Sequence, residues 1–340
     1  MESYIVSNWV VGFLLVGGAG LAWLVQRSRM WSQAFRDIWR RRRLAIGLIA
    51  LYVVVALLDS VAWVGGVHPG EDAVAKHRAR SVIDRLFADS QERSYSAPLA
   101  ATEFYGGSAL RKPGSHLLGT DLIGRDVLYL SLKGARVALL IGGLTSLLAI
   151  PLALLFGVPA GYFGGRLDDV VFFVMSTLAS MPGLLLLIAL IMVLGKSTLA
   201  ICFALAITGW VGFCRVSRGE TLKLRELEYV SAARALGVSE GRILVRHILP
   251  NLMHLVIITF VLMFSGLVLS EAILSWLGIG VDGSWGQMID QARNELSRDP
   301  VVWWNVSAAG AALFGLILAV NFVGDALRDA LDPRTAREAE

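Results

Sequence analysis

The sequence predicts an all-α protein that crosses a membrane several times. Three observations carry this prediction. The chain has 340 residues, of which 56% are hydrophobic and only 17% charged, and its mean hydropathy is +0.64. A chain of average composition is about a quarter charged, so too few charges are present here to cover a globule in water. The apolar residues come in long blocks, and a helix rising 1.5 Å per residue needs about 20 of them to cross roughly 30 Å of hydrocarbon. The basic residues collect at the ends of those blocks.

Seven blocks qualify, at residues 9–25, 44–64, 137–160, 170–194, 199–214, 252–277 and 301–323, the first and fifth being the shortest. The first lacks the basic leading region of a secretory signal, because residues 1–8 hold Glu2 as their only charge. Arg27, Arg29, Arg36 and Arg40 to Arg43 follow it instead, as expected of an anchor whose N-terminus lies outside. The short connections test this orientation. Residues 26–43, 164–169, 215–250 and 324–340 hold eighteen Lys and Arg, against Lys196, Arg293 and Arg298 on the other side. Positive charge favours the cytoplasm, which puts 215–250 and the C-terminus inside and 68–136 outside. Within the outer loop, residues 72–93 align Val82, Ile83, Leu86 and Phe87 on one face of an amphipathic helix.

Inside the spans, Gly157 and Gly161 form a small-xxx-small pair that lets helices approach closely. Pro151, Pro159 and Pro182 predict kinks. Glu271 lies within the sixth span, with Asp59 and Asn321 near the ends of theirs. An intramembrane carboxylate is costly, which leaves Glu271 and Asn321 as candidates for a pathway or for helix packing. Trp63, Trp276, Trp303 and Trp304 read as interfacial anchors. Cys202 and Cys214 share one span and read as small buried apolar residues, and the five histidines are scattered. The net charge of +4 is an orientation signal and calls for no nucleic-acid partner.

Two motif matches fail on context. Gly195-Lys196-Ser197-Thr198 resembles the end of a phosphate loop, but position 190 is Leu where that loop needs Gly. Gly237-Val-Ser239-Glu-Gly241 fits a nucleophile elbow, which requires a strand leading into the turn, and here a helix leads in. The segment 224–251 is more informative. Residues 224–236 are good helix formers, Gly237 stands where a left-handed residue closes a helix, and residues 239–249 form a second helical stretch running to Pro250. Helix, elbow and helix make a stiff protrusion. Its small residues Ala232 and Ala233 leave room for another protein to approach.

This segment resembles the coupling loop of binding-protein-dependent ABC importer permeases, whose mark is Glu-Ala-Ala, then Gly, then Leu-Pro. Further motifs narrow the resemblance to the dipeptide/oligopeptide/nickel permease family, C-type subunit: Gly119-Thr-Asp-Leu-Ile-Gly-Arg-Asp126, Gly134-Ala-Arg136, Gly161-Tyr-Phe-Gly-Gly-Arg-Leu-Asp168, Arg246-His-Ile-Leu-Pro-Asn251, Ser284-Trp-Gly286 and the run from Gly324 to Arg334. The match covers roughly residues 27–334. Ser231 replaces the signature Glu, Val174 and Ser176 replace a usual base and acid, prolines are missing before Ser284, and the span at 9–25 is an addition.

The resemblance implies a six-helix type I ABC importer transmembrane core plus one extra N-terminal helix. The chain then divides into an anchor at 1–26, a basic cytoplasmic linker at 27–43, the first core span at 44–67, an external loop at 68–136, a permease core at 137–334 containing the coupling loop 215–250, and a cytoplasmic tail at 335–340. The coupling residues it implies lie in loop 228–250 and are Glu228, Ala232, Ala233, Gly237, Leu249 and Pro250. The implied partners are a homologous permease subunit forming a heterodimer, two cytoplasmic ATP-binding subunits that use ATP and Mg, a periplasmic or extracellular substrate-binding protein, and the lipid bilayer. The chain itself is expected to bind no cofactor and to catalyse no reaction in the inner membrane. Peptides are the expected cargo, with nickel chelates and opines as other solutes. A secondary transporter is the rival class, but no inverted repeat with broken helices supports it.

Overall fold

The computed structural model describes Trp39, residues 42–63 and residues 80–331. The expected anchor at 9–25, most of the basic linker, and residues 332–340 lie outside the described residues. Among the described residues, five helices are long and apolar enough to cross a membrane: α1 (Arg43–Ser60), α3 (Val127–Phe163), α6 (Thr198–Leu224), α8 (Glu240–Trp276) and α10 (Trp304–Leu331). A further pair, α4 (Gly165–Ser180) and α5 (Gly183–Leu194), is apolar enough when taken together but bent by 94° at the break between them, the geometry of a broken span or a re-entrant loop. Shorter helices are α2 (Val82–Leu86), α7 (Glu228–Ala235) and α9 (Trp285–Glu295). The described residues form two compact units, one from the chain up to Leu139 and from Glu271 onward, the other from Leu140 to Ser270.

In the first unit, α1 stops at Ser60, short of the expected 64, and Val61 turns extended. Ala62–Trp63 (β1) then pairs antiparallel with Arg80–Ser81 (β2). This small ladder is absent from the all-α expectation because two-residue strands leave no periodicity to read. α2 is far shorter than the amphipathic helix expected at 72–93, of which residues 72–79 lie outside the described residues. Ser81 starts it with a reciprocal capping box with Asp84. It ends by Phe87, so Ile83 is buried while Leu86 stays exposed.

The helix α3 begins at Val127 rather than at 137, because Asp126 accepts the amides of Leu128 and Tyr129 as an N-cap. Lys133 and Arg136 hid these first turns from hydropathy. They bind carboxylates: Lys133 reaches Asp84 at 2.5 Å and Asp59 at 3.5 Å, and Arg136 reaches Asp59 at 3.5 Å. Asp59 therefore serves as a buried anchor, receiving the Ser81 hydroxyl as well. Gly134 lies under the indole of Trp285, which donates to Ser131 O at 2.8 Å, and any side chain at 134 would collide with the ring. Tyr52 of α1 donates to Ala312 O of α10 at 2.8 Å and meets Trp285 edge-on.

The segment 90–126 is held by its own polar side chains. Thr120 accepts the Ser96 amide at 2.7 Å and donates to Ser94 O. Asp121 accepts the amides of Ile123 and Arg125. His116 sits between Asp126 at 2.9 Å and Glu92 at 3.3 Å. The motif at 119–126 is thus a set of turn and cap residues.

In the second unit, small residues let three helices close together: Ala149, Ala153 and Ala160 of α3, Val171 and Met175 of α4, and Ala206, Trp210, Phe213 and Cys214 of α6 are all buried. A Cβ on Gly161 would lie 2.6 Å from Arg218 O, and one on Gly157 would be 2.7 Å from Cys214 O. The small-xxx-small pair is therefore the α3–α6 crossing. Pro151 and Pro159 remain inside a continuous α3, whereas Pro182 breaks the span expected at 170–194. Met181 ahead of it is forced extended, as the ring requires of its predecessor. Gly195, at φ 92°, ends α5, and Ser197 caps α6 by accepting the Ala200 amide. Residues 195–198 are a turn and a cap.

Candidate functional site

The segment between α6 and α8 forms a knob, though not with the expected boundaries. α6 continues as helix to Leu224, ten residues past the expected span end at 214. Residues 225–227 then turn, and α7 starts afresh at Glu228. The Glu228 carboxylate lies in the first turn, where the helix dipole favours negative charge. Gly237, at φ 78°, closes α7. Its amide bonds Arg234 O and the Val238 amide bonds Ala233 O, the two bonds of a Schellman motif. The elbow expected at Gly237 is present.

The second arm does not stop at Pro250. It is the first part of α8, which runs unbroken from Glu240 to Trp276. Residues Leu244–Ile248 are a π-helical turn just ahead of Pro250. Proline has no N–H and its ring crowds the carbonyl four residues back, and the wider turn accommodates both defects.

The knob is stiff because it has a core. Val230 and Ala233 of α7 and Ile243, Ile248 and Leu252 of α8 are buried against Val158 and Tyr162 of α3. Ala233 therefore faces inward, while Ala232, Glu228, Gly237 and Pro250 are exposed and Leu249 is half-buried. The two alanines do not form one outward patch, because consecutive helical residues point about 100° apart. Apolar side chains do reach outward: Leu227, Tyr229, Leu236 and Val245 are exposed, Leu236 at 84%. The knob offers another protein an apolar edge with charges around it.

Hydrophobicity and motif reading missed the polar residues that fix this knob. Arg225 donates to Gly161 O at 3.0 Å and Tyr162 O at 3.4 Å, satisfying carbonyls left free at the end of α3. Arg234 donates to the Tyr162 hydroxyl at 3.1 Å and pairs with Glu240 at 3.4 Å, and the same hydroxyl donates to Glu240. The hydrogen bond to Tyr162 holds the Arg234 guanidinium above its ordinary range. Arg218 grips Asp168 with two bonds at 2.5 and 2.6 Å. Asn251 donates to the Tyr229 hydroxyl at 3.1 Å, joining α8 to α7. The available signal was the crowding of Arg, Tyr and acids at span ends.

Glu271 and Asn321 lie in the first unit. Glu271 is buried and accepts the Ser275 hydroxyl at 2.5 Å, and Ser275 meets Ser284, the N-cap of α9, at 3.0 Å. Gly286 lies against Ala272 and Ser275. The carboxylate thus ties the end of α8 to the start of α9. Asn321 is half-buried within α10. Among the described residues no three His, Cys, Asp or Glu side chains converge as metal ligands would.

Comparison with known proteins places the chain. Residues 153–337 match the family described as binding-protein-dependent transport system inner membrane component. A putative peptide transport system permease protein of Brucella suis biovar 1 is 35% identical over 304 residues, covering 88% of this chain and 90% of that one. The oligopeptide transport system permease protein OppC of Bacillus subtilis is 36% identical over 228 residues, covering 66% and 74%. A chain of the MetNI methionine ABC transporter, solved in inward-facing conformations, aligns at 18% identity with a TM-score of 0.49, covering 60% of this chain and 97% of that one. The matched span takes in the knob, α8 and α10, and the chain is a multi-pass inner-membrane permease belonging to the binding-protein-dependent transport system inner membrane component family.

Proposed function

We propose that this chain forms half of the translocation pathway of an ATP-driven peptide importer, and that the knob at 225–248 receives the push of a separate ATPase on the cytoplasmic side. The single observation that carries the reading is the knob itself: two short helical arms joined at Gly237, cored by Val230, Ile243 and Ile248, and continuous with α8. A lever of this kind transmits displacement without needing a nucleotide site of its own. Alternating access would follow from movement of the helices to which it is joined.

The partners in this reading are a homologous permease subunit, two ATP-binding subunits that hydrolyse ATP with Mg, and a binding protein delivering solute at the outer face. The excess of basic residues in 215–250 supports a cytoplasmic knob. The names of the similar permeases of Brucella suis and Bacillus subtilis support peptides as cargo. The residues proposed to meet the ATPase are Glu228, Ala232, Gly237 and Pro250 with the exposed Leu227, Tyr229 and Leu236, while Ala233 and Leu249 shape the surface from within. Glu271 is proposed as a packing residue, on its bond to Ser275.

The test is purification of the chain with its membrane and cytoplasmic companions, followed by reconstitution in vesicles. ATP-dependent uptake of labelled di- or oligopeptide, absent when the ATP-binding subunits are left out, is the expected result. Uptake by the chain alone, driven by an ion gradient, would make it a secondary transporter. Uptake of a nickel chelate or an opine in place of peptide would keep the transport class and change the cargo.

A further inference from the structure

We propose that Tyr162, Arg234 and Glu240 form a clasp that fixes the angle of the coupling knob against α3, and so sets how much solute moves per ATP hydrolysed. The inference rests on the knob being the ATPase docking element. Tyr162 is the penultimate residue of α3 and is 5% exposed. Its hydroxyl accepts from Arg234 Nη2 at 3.1 Å and donates to Glu240. Arg234 Nε faces Glu240 Oε1 at 3.4 Å, and the guanidinium lies over the Tyr162 ring at 5.6 Å.

The placement matters more than the strength. Arg234 belongs to the last turn of α7 and Glu240 to the first turn of α8, one on each side of the Gly237 elbow. Nothing lies within 4 Å of where a Gly237 side chain would be, so no packing blocks a hinge there. Both charged groups are about half exposed, at 51% and 46%, and pairs of that kind add little to stability. The buried core of Val230, Ile243, Ile248 and Leu252 already holds the knob folded. That core holds α7 by Val230 and Ala233, and the clasp adds a three-way contact between α7, α8 and the end of α3 beside the elbow, at the C-terminal end of α7. Ser231 and Arg225 line the same cleft of about 390 Å³, so the clasp borders open space on one side.

Tyr162, Arg234 and Glu240 are positioning residues, and the discriminating readout is the coupling ratio. The full complex in proteoliposomes is assayed for solute taken up per ATP hydrolysed, for the wild type and for Tyr162→Phe, Arg234→Glu, Glu240→Arg and the double swap Arg234→Glu/Glu240→Arg. Tyr162→Phe and each single reversal should lower the ratio about threefold, the size of a half-exposed pair's coupling, with the ATP-binding subunits still co-purifying. The swap rebuilds the pair with reversed charge and should restore most of the ratio. Wild-type ratios in Tyr162→Phe and both reversals would overturn the clasp, as would a swap as poor as its parents. Should Tyr162→Phe fail to assemble, the swap against its singles decides alone. Failure of the docking reading looks different: a photoreactive residue at position 236 of the wild-type complex would then give no adduct with an ATP-binding subunit.

Discussion

Glu92 and Glu295 are both buried carboxylates outside the spans, and their surroundings push them in opposite directions. Burial alone would raise Glu92, but the amides of Arg111 and Lys112, each at 2.9 Å, and His116 outweigh it, so Glu92 is held below its ordinary range. Burial dominates at Glu295, which rises although Asn305 and Tyr95 bond to it. Tyr95 is itself pushed up to about 12 by burial and by the Glu295 charge. The signs follow. A lowered carboxylate contributes stability above its unfolded pKa and loses it as pH falls; a raised one contributes below that pKa and loses it as pH rises. Glu92→Gln should therefore destabilise at neutral pH by roughly 1–3 kcal/mol, since an amide cannot accept both backbone bonds equally. Glu295→Gln should stabilise at neutral pH, because it removes a charge that burial disfavours while its amide oxygen still accepts from Asn305 Nδ2. Thermal melts of the purified chain at pH 7 check both. Asp84 extends the argument: burial raises it, but Lys133, the Ser81 amide and Tyr129 hold it down to about 2. Asp84→Asn should flatten the pH dependence of melting between about 4 and 2.

At the scale of elements, the α3–α6 crossing and the elbow are the sensitive points. Gly161→Val has no room against Arg218 O and Thr221, and overpacking of this kind costs about 1–3 kcal/mol. A lower melting temperature together with loss of folded protein on gel filtration is expected. Gly237→Ala has space but the wrong backbone, and a left-handed residue with a Cβ costs roughly 1–2 kcal/mol. Faster proteolysis within 225–240 reports it. Ala233→Asp should act through the knob's own core, because it buries a charge beside Val230 and Ile243. These elements show what the sequence makes legible. Blocks of apolar residues gave the spans, and Gly237, Gly157 and Gly161 gave the elbow and the crossing. Their ends were harder to read. Lys133 and Arg136 concealed the start of α3 because their partners Asp59 and Asp84 lie far away in sequence. Pro250 looked like a stop because a π turn leaves no mark in composition. The clasp escaped notice because Tyr162 and Glu240 are 78 residues apart.

At the scale of the whole molecule, the chain is a multi-pass permease, and the proposed source of energy is a separate ATPase. Its described spans come from the sequence as blocks, and its family follows from residues 153–337. The knob in the second unit has a buried underside, a glycine elbow and an apolar outer edge, as the proposed docking role needs. Photo-cross-linking from position 236 in intact cells tests this most directly, because Leu236 is 84% exposed at the tip of α7. A photoreactive residue there should yield one adduct, containing an ATP-binding subunit. An adduct with a protein of the outer face, or reaction of a Leu236→Cys variant with a thiol reagent that cannot cross the membrane, would contradict the account.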